Sequence, residues 1–200
     1  IDLRVNKLRA DLIEVKEMFD SFGIKNKLIT NCPYGLEVPA GIGEPRNWPG
    51  FNEGKWSVQD RSSQRVAPFL GALPGEKILD ACAAPGGKST HIAELIDNQG
   101  EIWSVDRSSS RSKKILANSK RLGADCLQLL VADSNELLVR HPEWEAYFHR
   151  ILIDAPCSGL GTLARHPDAR WRMTQEKINE LIVLQSLLLK SLAPLLKSGG

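Results

Sequence analysis

Four aspartates follow short apolar segments of the chain. They are Asp80, Asp106, Asp133 and Asp154. A single aspartate after a strand commonly only caps the next helix or turn, but four at matching positions are harder to explain in that way. Because ligands of parallel sheets bind beyond the carboxyl ends of the strands, we expect these carboxylates to border a binding site.

Asp106 is the most informative of the four, because it lies 19 residues after Gly87. In nucleoside-binding folds, the acid that accepts hydrogen bonds from the ribose hydroxyls follows the glycine-rich loop by ~20 residues. The alternative is that Asp106 caps the helix that follows, although Ser108 is available for that role. The spacing favours the ribose.

Two classes of ligand are candidates for the loop before Ser89. Gly87-Lys88-Ser89 resembles the end of a phosphate-binding loop, and Ile151 to Asp154 resembles a strand with a magnesium-binding aspartate, so a P-loop-like nucleoside triphosphatase is an alternative. That loop requires a glycine where Cys82 stands, and Pro85 lacks a backbone N–H that a phosphate would need. A tight turn of small residues instead suits S-adenosylmethionine, which has a nucleoside and an amino-acid tail but no phosphate.

A second group with chemical potential is the Pro156-Cys157 pair, which directly follows Asp154-Ala155. Beside a cofactor pocket, such a cysteine suggests chemistry on a pyrimidine. Cytosine C5 is a poor nucleophile until a thiolate adds at C6, after which C5 can attack a sulfonium methyl group. The alternative is that Cys157 is an inert buried thiol.

Alternating strands and helices must position these residues. Strands are predicted at Lys77–Ala81, Glu101–Asp106, Leu127–Val131 and Arg150–Asp154. Helices are predicted at Ser62–Leu70, Ser89–Ile96 and Ser108–Leu122, followed by one with an apolar side of Ile178, Leu181, Ile182, Leu188, Leu189 and Leu192. The alternation predicts an α/β domain with a parallel sheet covered on both faces, over residues 56–200. Residues 1–55, with one amphipathic helix and a Pro/Gly-rich stretch, form a separate region.

Composition excludes several classes of protein. The 200 residues carry a net charge of +2, so any RNA contact requires locally clustered basic residues. The cysteines, with no CxxC pair, predict reduced cytoplasmic thiols and neither a metal site nor a disulfide framework; they are Cys32, Cys82, Cys126 and Cys157. No apolar run approaches the ~20 residues of a membrane span, so we expect no membrane partner, and we expect a monomer. A first residue Ile1 and a last residue Gly200 suggest a piece of a longer protein.

Five segments together resemble a known family. They are Leu3–Asn6, Trp56–Asp60, Leu79–Lys88, Asp154–Gly159 and Arg165–Asp168. These segments resemble the Sun/Fmu family of ribosomal RNA (cytosine-5) methyltransferases. The resemblance implies a Rossmann-like methyltransferase sheet, truncated after the fourth strand and its helix and preceded by a small α+β RNA-binding-like segment. It implies methyl transfer from S-adenosylmethionine to C5 of a cytosine in RNA, with small-subunit ribosomal RNA as the expected substrate.

The resemblance also assigns site residues. The implied cofactor-binding residues are Cys82, Ala83, Ala84, Pro85, Gly86, Gly87, Lys88, Asp106, Asp133 and Asp154. Among them, Asp133 is expected on the adenine side and Asp154 near the methyl group and the target base. The implied catalytic residues are Cys157, Asp154 and Lys88.

The resemblance changes the role expected of Cys157. The attacking thiol of this family belongs to a later Thr-Cys motif, expected beyond Gly200, and the Pro-Cys thiol assists release of methylated RNA. The chain alone is therefore predicted to be inactive. A basic, aromatic-containing loop is predicted to contact RNA through Arg165, His166, Arg170 and Trp171. A solvated surface loop is the alternative, and a non-catalytic RNA-binding module is a further one for the chain as a whole.

Overall fold

The structure is a computed structural model that describes residues 1–162, 171 and 173–200. The strands are β1 (Asp2–Val5), β2 (Lys27–Leu28), β3 (Gly35–Glu37), β4 (Trp56–Val58), β5 (Lys77–Asp80), β6 (Glu101–Asp106), β7 (Leu127–Val131) and β8 (Arg150–Leu152). The α-helices are α1 (Leu12–Ser21), α2 (Arg61–Gln64), α3 (Val66–Leu70), α4 (Gly87–Leu95), α5 (Ser109–Leu122), α6 (Leu137–Arg140) and α7 (Gln175–Leu192).

An antiparallel sheet with the order β2-β3-β1-β4 forms the first part of the chain. Leu3 and Val5 of β1 point into its core, where Val15 and Phe19 of α1 meet the buried ring of Trp56. Since β4 pairs with β1, this sheet extends three residues past the boundary predicted at residue 55. A strand of three residues after a Pro/Gly-rich stretch carries too little periodicity to be assigned from sequence.

A parallel sheet with the order β7-β6-β5-β8 forms the second part, which confirms the predicted α/β class. The chain builds outward from β5 through β6 to β7 and then returns to place β8 on the other side of β5. The strand order therefore reverses between β5 and β8. In open parallel sheets, ligands bind beside this reversal, at the carboxyl ends of the strands.

Helices cover both faces of the parallel sheet, as predicted. Leu79 and Val105 point to one face, where Leu188 of α7 packs against them. Ile78 and Ile102 lie in the same two strands but point to the opposite face, where they meet Ile92 of α4. This alternation is the period-2 pattern of strands that are buried on both sides.

Several predicted elements differ in their bounds, among them the second-part helix nearest β4 and the fourth strand of the parallel sheet. The helix predicted over Ser62–Leu70 is divided into α2 and α3, with Arg65 between them. Pro68 accounts for the division, since it has no N–H to donate to the carbonyl of Gln64 one turn earlier. The fourth strand ends at Leu152, which pairs with Asp80, the last residue of β5.

The long helix α7 buries less than its composition suggests. Leu188 and Leu192 are buried, but Ile182 and Leu189, predicted on the same apolar side, are 55% and 63% exposed. Within the described residues, the stretch Gln175–Leu195 is long and apolar enough to cross a membrane by length and composition, with a mean hydropathy of 1.3. This is weak evidence for a span, because the same helix contributes two residues to the core of the parallel sheet.

Candidate functional site

The loop after β5 is a tight turn built from small residues. The Ala83 N–H donates to the Val105 carbonyl at 2.9 Å, and the Gly86 N–H donates to the Ala83 carbonyl at 2.7 Å. Gly86 has φ +95°, and a Cβ there would lie 3.1 Å from Cα of Ile115 in α5. A side chain at Gly86 would therefore strain the backbone and crowd the neighbouring helix. The predicted turn forms next to the strand reversal.

Asp106 is the last residue of β6 and is 4% exposed. Its carboxylate accepts hydrogen bonds from the N–H of Ser108 at 2.9 Å and of Ala84 at 3.3 Å, and from Nη2 of Arg111 at 2.7 Å. Ser108 is the N-cap of α5, which contradicts the alternative that Asp106 caps this helix, and its Oγ accepts from the Arg111 N–H. Asp106 therefore joins β6 to the turn instead of capping α5. Its ribose role stays a prediction.

Asp133 lies two residues beyond the end of β7. Its carboxylate accepts from the N–H of Asn135 at 2.9 Å and from the Asn135 amide at 3.0 Å, and so caps the short 3-10 helix Ser134–Glu136. Oγ of Ser134 donates to the Ala81 carbonyl at 2.5 Å, which fixes this segment against the loop after β5. The predicted adenine-side residue is thereby held beside the predicted cofactor loop.

Lys88 and Asp154 bridge the strand reversal with an Nζ–Oδ2 distance of 2.5 Å. Asp154 is 52% exposed, whereas Asp80 lies fully buried nearby and accepts from Oγ of Ser89 at 2.6 Å. Burial raises the pKa of Asp80 to about 6, the Ser89 hydrogen bond opposes the rise, and the charge of Asp154 adds to it. The reversal therefore brings together several acids and one lysine.

Two neighbouring cavities share the side chain of Cys82. The first, of about 130 Å³, is lined by Ala81, Cys82, Asp106, Arg107, Arg111, Ala132, Asp133, Ser134, Asn135, Pro156, Leu184 and Leu188. The second, of about 160 Å³, is lined by Val58, Gln59, Ser63, Asp80, Cys82, Ala83, Ala84, Pro85, Gly87, Lys88 and Asp154. Nine of the ten predicted cofactor-binding residues thus line one or the other cavity, and the tenth, Gly86, shapes the turn between them.

Cys82 remains a thiol at neutral pH. Burial raises its pKa to about 11, and the carboxylates of Asp80, Asp106 and Asp154 act in the same direction. A thiol is a far weaker nucleophile than a thiolate. The cysteine between the two cavities is therefore a lining residue and is unsuited to attack a ligand.

Cys157 is exposed and free, so the interpretation of this residue as an inert buried thiol is wrong. It follows Pro156, which lines the first cavity and whose carbonyl accepts from the Gln185 amide of α7 at 2.8 Å. The contact with Gln185 ties the start of the Pro-Cys segment to α7. Cys157 thus directly follows a residue that lines the first cavity.

The predicted RNA-binding residues Arg165, His166 and Arg170 lie outside the described residues. Trp171 is described and is 84% exposed. Among the described residues, no group of three or more His, Cys, Asp or Glu could hold a metal ion.

Some lining residues were missing from the predicted site. Asp80 was among the four aspartates expected to border the site but was not assigned to the cofactor, and Arg111 and Asn135 follow Asp106 and Asp133 by five and two residues. Their short distance along the chain from a predicted acid was the available signal. Gln59, which reaches the second cavity from the segment after β4, lies in the family-like segment Trp56–Asp60 but was assigned no role.

Comparison with known sequences gives a consistent result. The model of the family described as "16S rRNA methyltransferase RsmB/F" matches residues 67–200. The chain is 44% identical over 200 residues to the "Probable ribosomal RNA small subunit methyltransferase B" of Synechocystis sp., covering all of this chain and 44% of that protein. It is 39% identical over 203 residues to the "Ribosomal RNA small subunit methyltransferase B" of Escherichia coli, covering 99% of this chain and 45% of that protein. The chain spans less than half the length of these relatives.

Solved structures share the fold. The crystal structure of PH0851 has a TM-score of 0.93 and 36% identity, covering 98% of this chain and 44% of that one. NSun6 from Pyrococcus horikoshii, solved with SFG, has a TM-score of 0.87 and 21% identity, covering all of this chain and 73% of that one. The arrangement of an antiparallel sheet followed by a parallel one is therefore shared with these proteins.

Proposed function

Because the chain belongs to the RsmB/F family of 16S rRNA methyltransferases, we propose that its cleft binds S-adenosylmethionine across the two cavities that meet at Cys82. The observation that carries this proposal is the placement of acids beside both cavities at the strand reversal, with Asp106 and Asp133 on one and Asp80 and Asp154 on the other. S-adenosylmethionine carries a sulfonium and an ammonium, so these carboxylates complement its charge.

The first cavity suits the adenosine half. Asp106 can accept from both ribose hydroxyls once Arg111, which is half exposed, releases its contact with the carboxylate. Asp133 and Asn135 can meet the polar edge of the adenine, and Leu188 packs near its face. A nucleoside needs this combination of one buried carboxylate and an apolar wall.

The second cavity suits the methionine half. Lys88 can meet the carboxylate of the amino-acid tail, and Asp80 its ammonium group. The sulfonium then lies near Cys82, where the methyl group that the cofactor supplies is open to attack. The raised pKa of Cys82 keeps this thiol protonated, which makes it a poor methyl acceptor.

The charge of the cleft disfavours the nucleoside triphosphatase alternative. Three carboxylates, those of Asp80, Asp106 and Asp154, would repel a polyphosphate, and Lys88 is already paired with one of them. Saturating S-adenosylmethionine should raise the melting temperature of the chain by roughly 5–10 °C at 100 times its Kd. ATP with magnesium should leave it unchanged. The reverse result would favour the triphosphatase.

We further propose that the methyl acceptor is C5 of a cytosine in RNA, and that the attacking thiol comes from a cysteine beyond Gly200. That thiolate adds to C6, C5 takes the methyl group, and loss of the C5 proton then breaks the carbon–sulfur bond and frees the thiol. We assign the final release to Cys157, which is exposed and follows Asp154 by three residues.

The separate roles of the two cysteines are testable in a protein extended to the length of its relatives. Cys157→Ala should transfer the methyl group once and then remain covalently attached to RNA, giving a slow band on a denaturing gel. Cys126→Ala is the matched control, because Cys126 is a partly buried thiol at the opposite, amino-terminal end of β7, and it should give neither a band nor a loss of turnover. If Cys157→Ala is inert and unlinked, Cys157 is the nucleophile.

A further inference from the structure

The strand β1 has two faces with different chemistry. Leu3 and Val5 point into the core of the antiparallel sheet, while Arg4 and Asn6, the alternate residues, are each 1% exposed and turn toward the second part of the chain. Buried polar side chains require partners. Those of Arg4 are Gln59 and three residues of α4, the helix that begins in the cofactor loop.

We infer that Arg4 is a positioning residue for the cofactor site, a role that rests on the function proposed above. Its Nη1 donates to the Gly87 carbonyl at 2.9 Å, and its Nε and Nη2 donate to the two carboxylate oxygens of Glu94 at 3.0 and 2.6 Å. Nη2 also reaches Oγ1 of Thr90 at 3.3 Å, and Nη1 donates to the Gln59 amide oxygen. The guanidinium therefore uses all three nitrogens.

These contacts fix the rotation of α4 about its own axis and its distance from β1. Gly87, Thr90 and Glu94 lie three and four residues apart, so they share one face of the helix. A planar guanidinium that engages three points on that face holds the helix in one orientation. Gly87 is the first residue of α4, and its neighbour Lys88 forms the ion pair with Asp154 across the strand reversal. The orientation of α4 thus sets the position of Lys88 in the second cavity.

Stability alone does not account for this arrangement. A buried ion pair gains little net free energy, because desolvation of both charges offsets their attraction. Burial raises the pKa of Glu94, and the charge of Arg4 only opposes that rise. The feature that remains is the directional contact with the Gly87 carbonyl, which Nε2 of Gln59 also approaches, at 3.4 Å.

Asn6, which directly follows β1 and points to the same side as Arg4, provides a matched control. Its amide donates to the carbonyls of Gly54 and Leu122, both at 2.8 Å. It therefore joins β1 to the end of α5, far along the chain from the cofactor loop. Loss of Asn6 should weaken the junction between the two sheets without releasing α4.

The test compares three variants of the chain by calorimetric titration with S-adenosylmethionine and by thermal melting. Arg4→Met should weaken cofactor binding about tenfold, the loss expected for one charge-assisted contact. Asn6→Ala should lower the melting temperature and leave the Kd unchanged. The double variant Arg4→Met/Glu94→Leu removes both buried charges, so it should regain melting temperature and keep the weakened Kd.

The double variant tests the positioning role of Arg4 even if Arg4→Met fails to fold. If it regains both melting temperature and affinity, Arg4 is only structural and the inference is wrong. The same follows if Asn6→Ala weakens binding as much as the Arg4 variants do. Unaltered chain that does not bind S-adenosylmethionine would contradict the proposed function instead, so the two failures are distinguishable.

Discussion

The two sides of the cleft differ in how their acids are held. On the side of β6 and β7, Asp106 and Asp133 accept hydrogen bonds from backbone N–H groups two residues ahead of them. On the side of β8, Asp154 is half exposed and contacts a flexible lysine, and Cys157 is exposed. The first side is fixed by local sequence, whereas the second presents its groups to solvent.

The difference indicates that the two sides of the cleft are suited to different ligands. A side that is fixed by its own backbone can bind a ligand with little reorganisation, which is the requirement for a cofactor. A side with exposed groups is suited to a macromolecular substrate that covers it. We therefore expect the chain to bind S-adenosylmethionine without RNA.

The largest expected effect is that of Asp106→Ala on cofactor affinity. Loss of two hydrogen bonds from ribose hydroxyls to a carboxylate should cost on the order of 2–4 kcal/mol. Asp154→Ala is the matched change on the other side of the cleft, and it should cost less than about 1 kcal/mol because Asp154 is half exposed. Calorimetric titration of both variants measures the contrast. Equal losses would remove the distinction between the two sides.

A smaller effect concerns Asp80, which lies at the boundary between the sides. Its folded-state pKa of about 6 exceeds the ordinary value of 3.8, so the folded protein binds this proton more tightly than the unfolded chain does. The stability that Asp80 contributes is thus complete below pH 4 and is lost as the pH rises through 6, by about 2–3 kcal/mol in total.

Asp80→Asn isolates this contribution, because an asparagine can still accept from Ser89 and does not titrate. The difference in unfolding free energy between variant and unaltered chain should move in favour of the variant between pH 4 and 6 and stay constant above. Denaturant titrations at a series of pH values measure it. A difference that does not vary with pH would contradict the raised pKa.

Much of the parallel sheet could be predicted from the sequence. Its strands are apolar runs separated by amphipathic helices such as α5, and β6 and β7 have the predicted bounds. The acids at the ends of these strands were identified for the same reason, since the end of an apolar run is visible in the sequence. The turn of small residues after β5 was also predicted from the sequence.

The remaining features depend on contacts between distant residues. Arg4 and Glu94 are 90 residues apart, and the sequence around either residue does not show whether they form a buried ion pair or are two solvated charges. The helix α7 is apolar around most of its circumference, so composition could not show that Ile182 faces solvent while Leu188 is buried. The strand β4 is defined by its pairing with β1 more than by its own residues.

The most direct test of cofactor binding in this cleft is a crystal structure of the chain with S-adenosylhomocysteine. We predict the ribose against Asp106, the adenine beside Asp133, the amino-acid tail near Lys88, and the sulfur next to Cys82 at the junction of the two cavities. A cofactor bound in the opposite orientation, or away from this cleft, would contradict it.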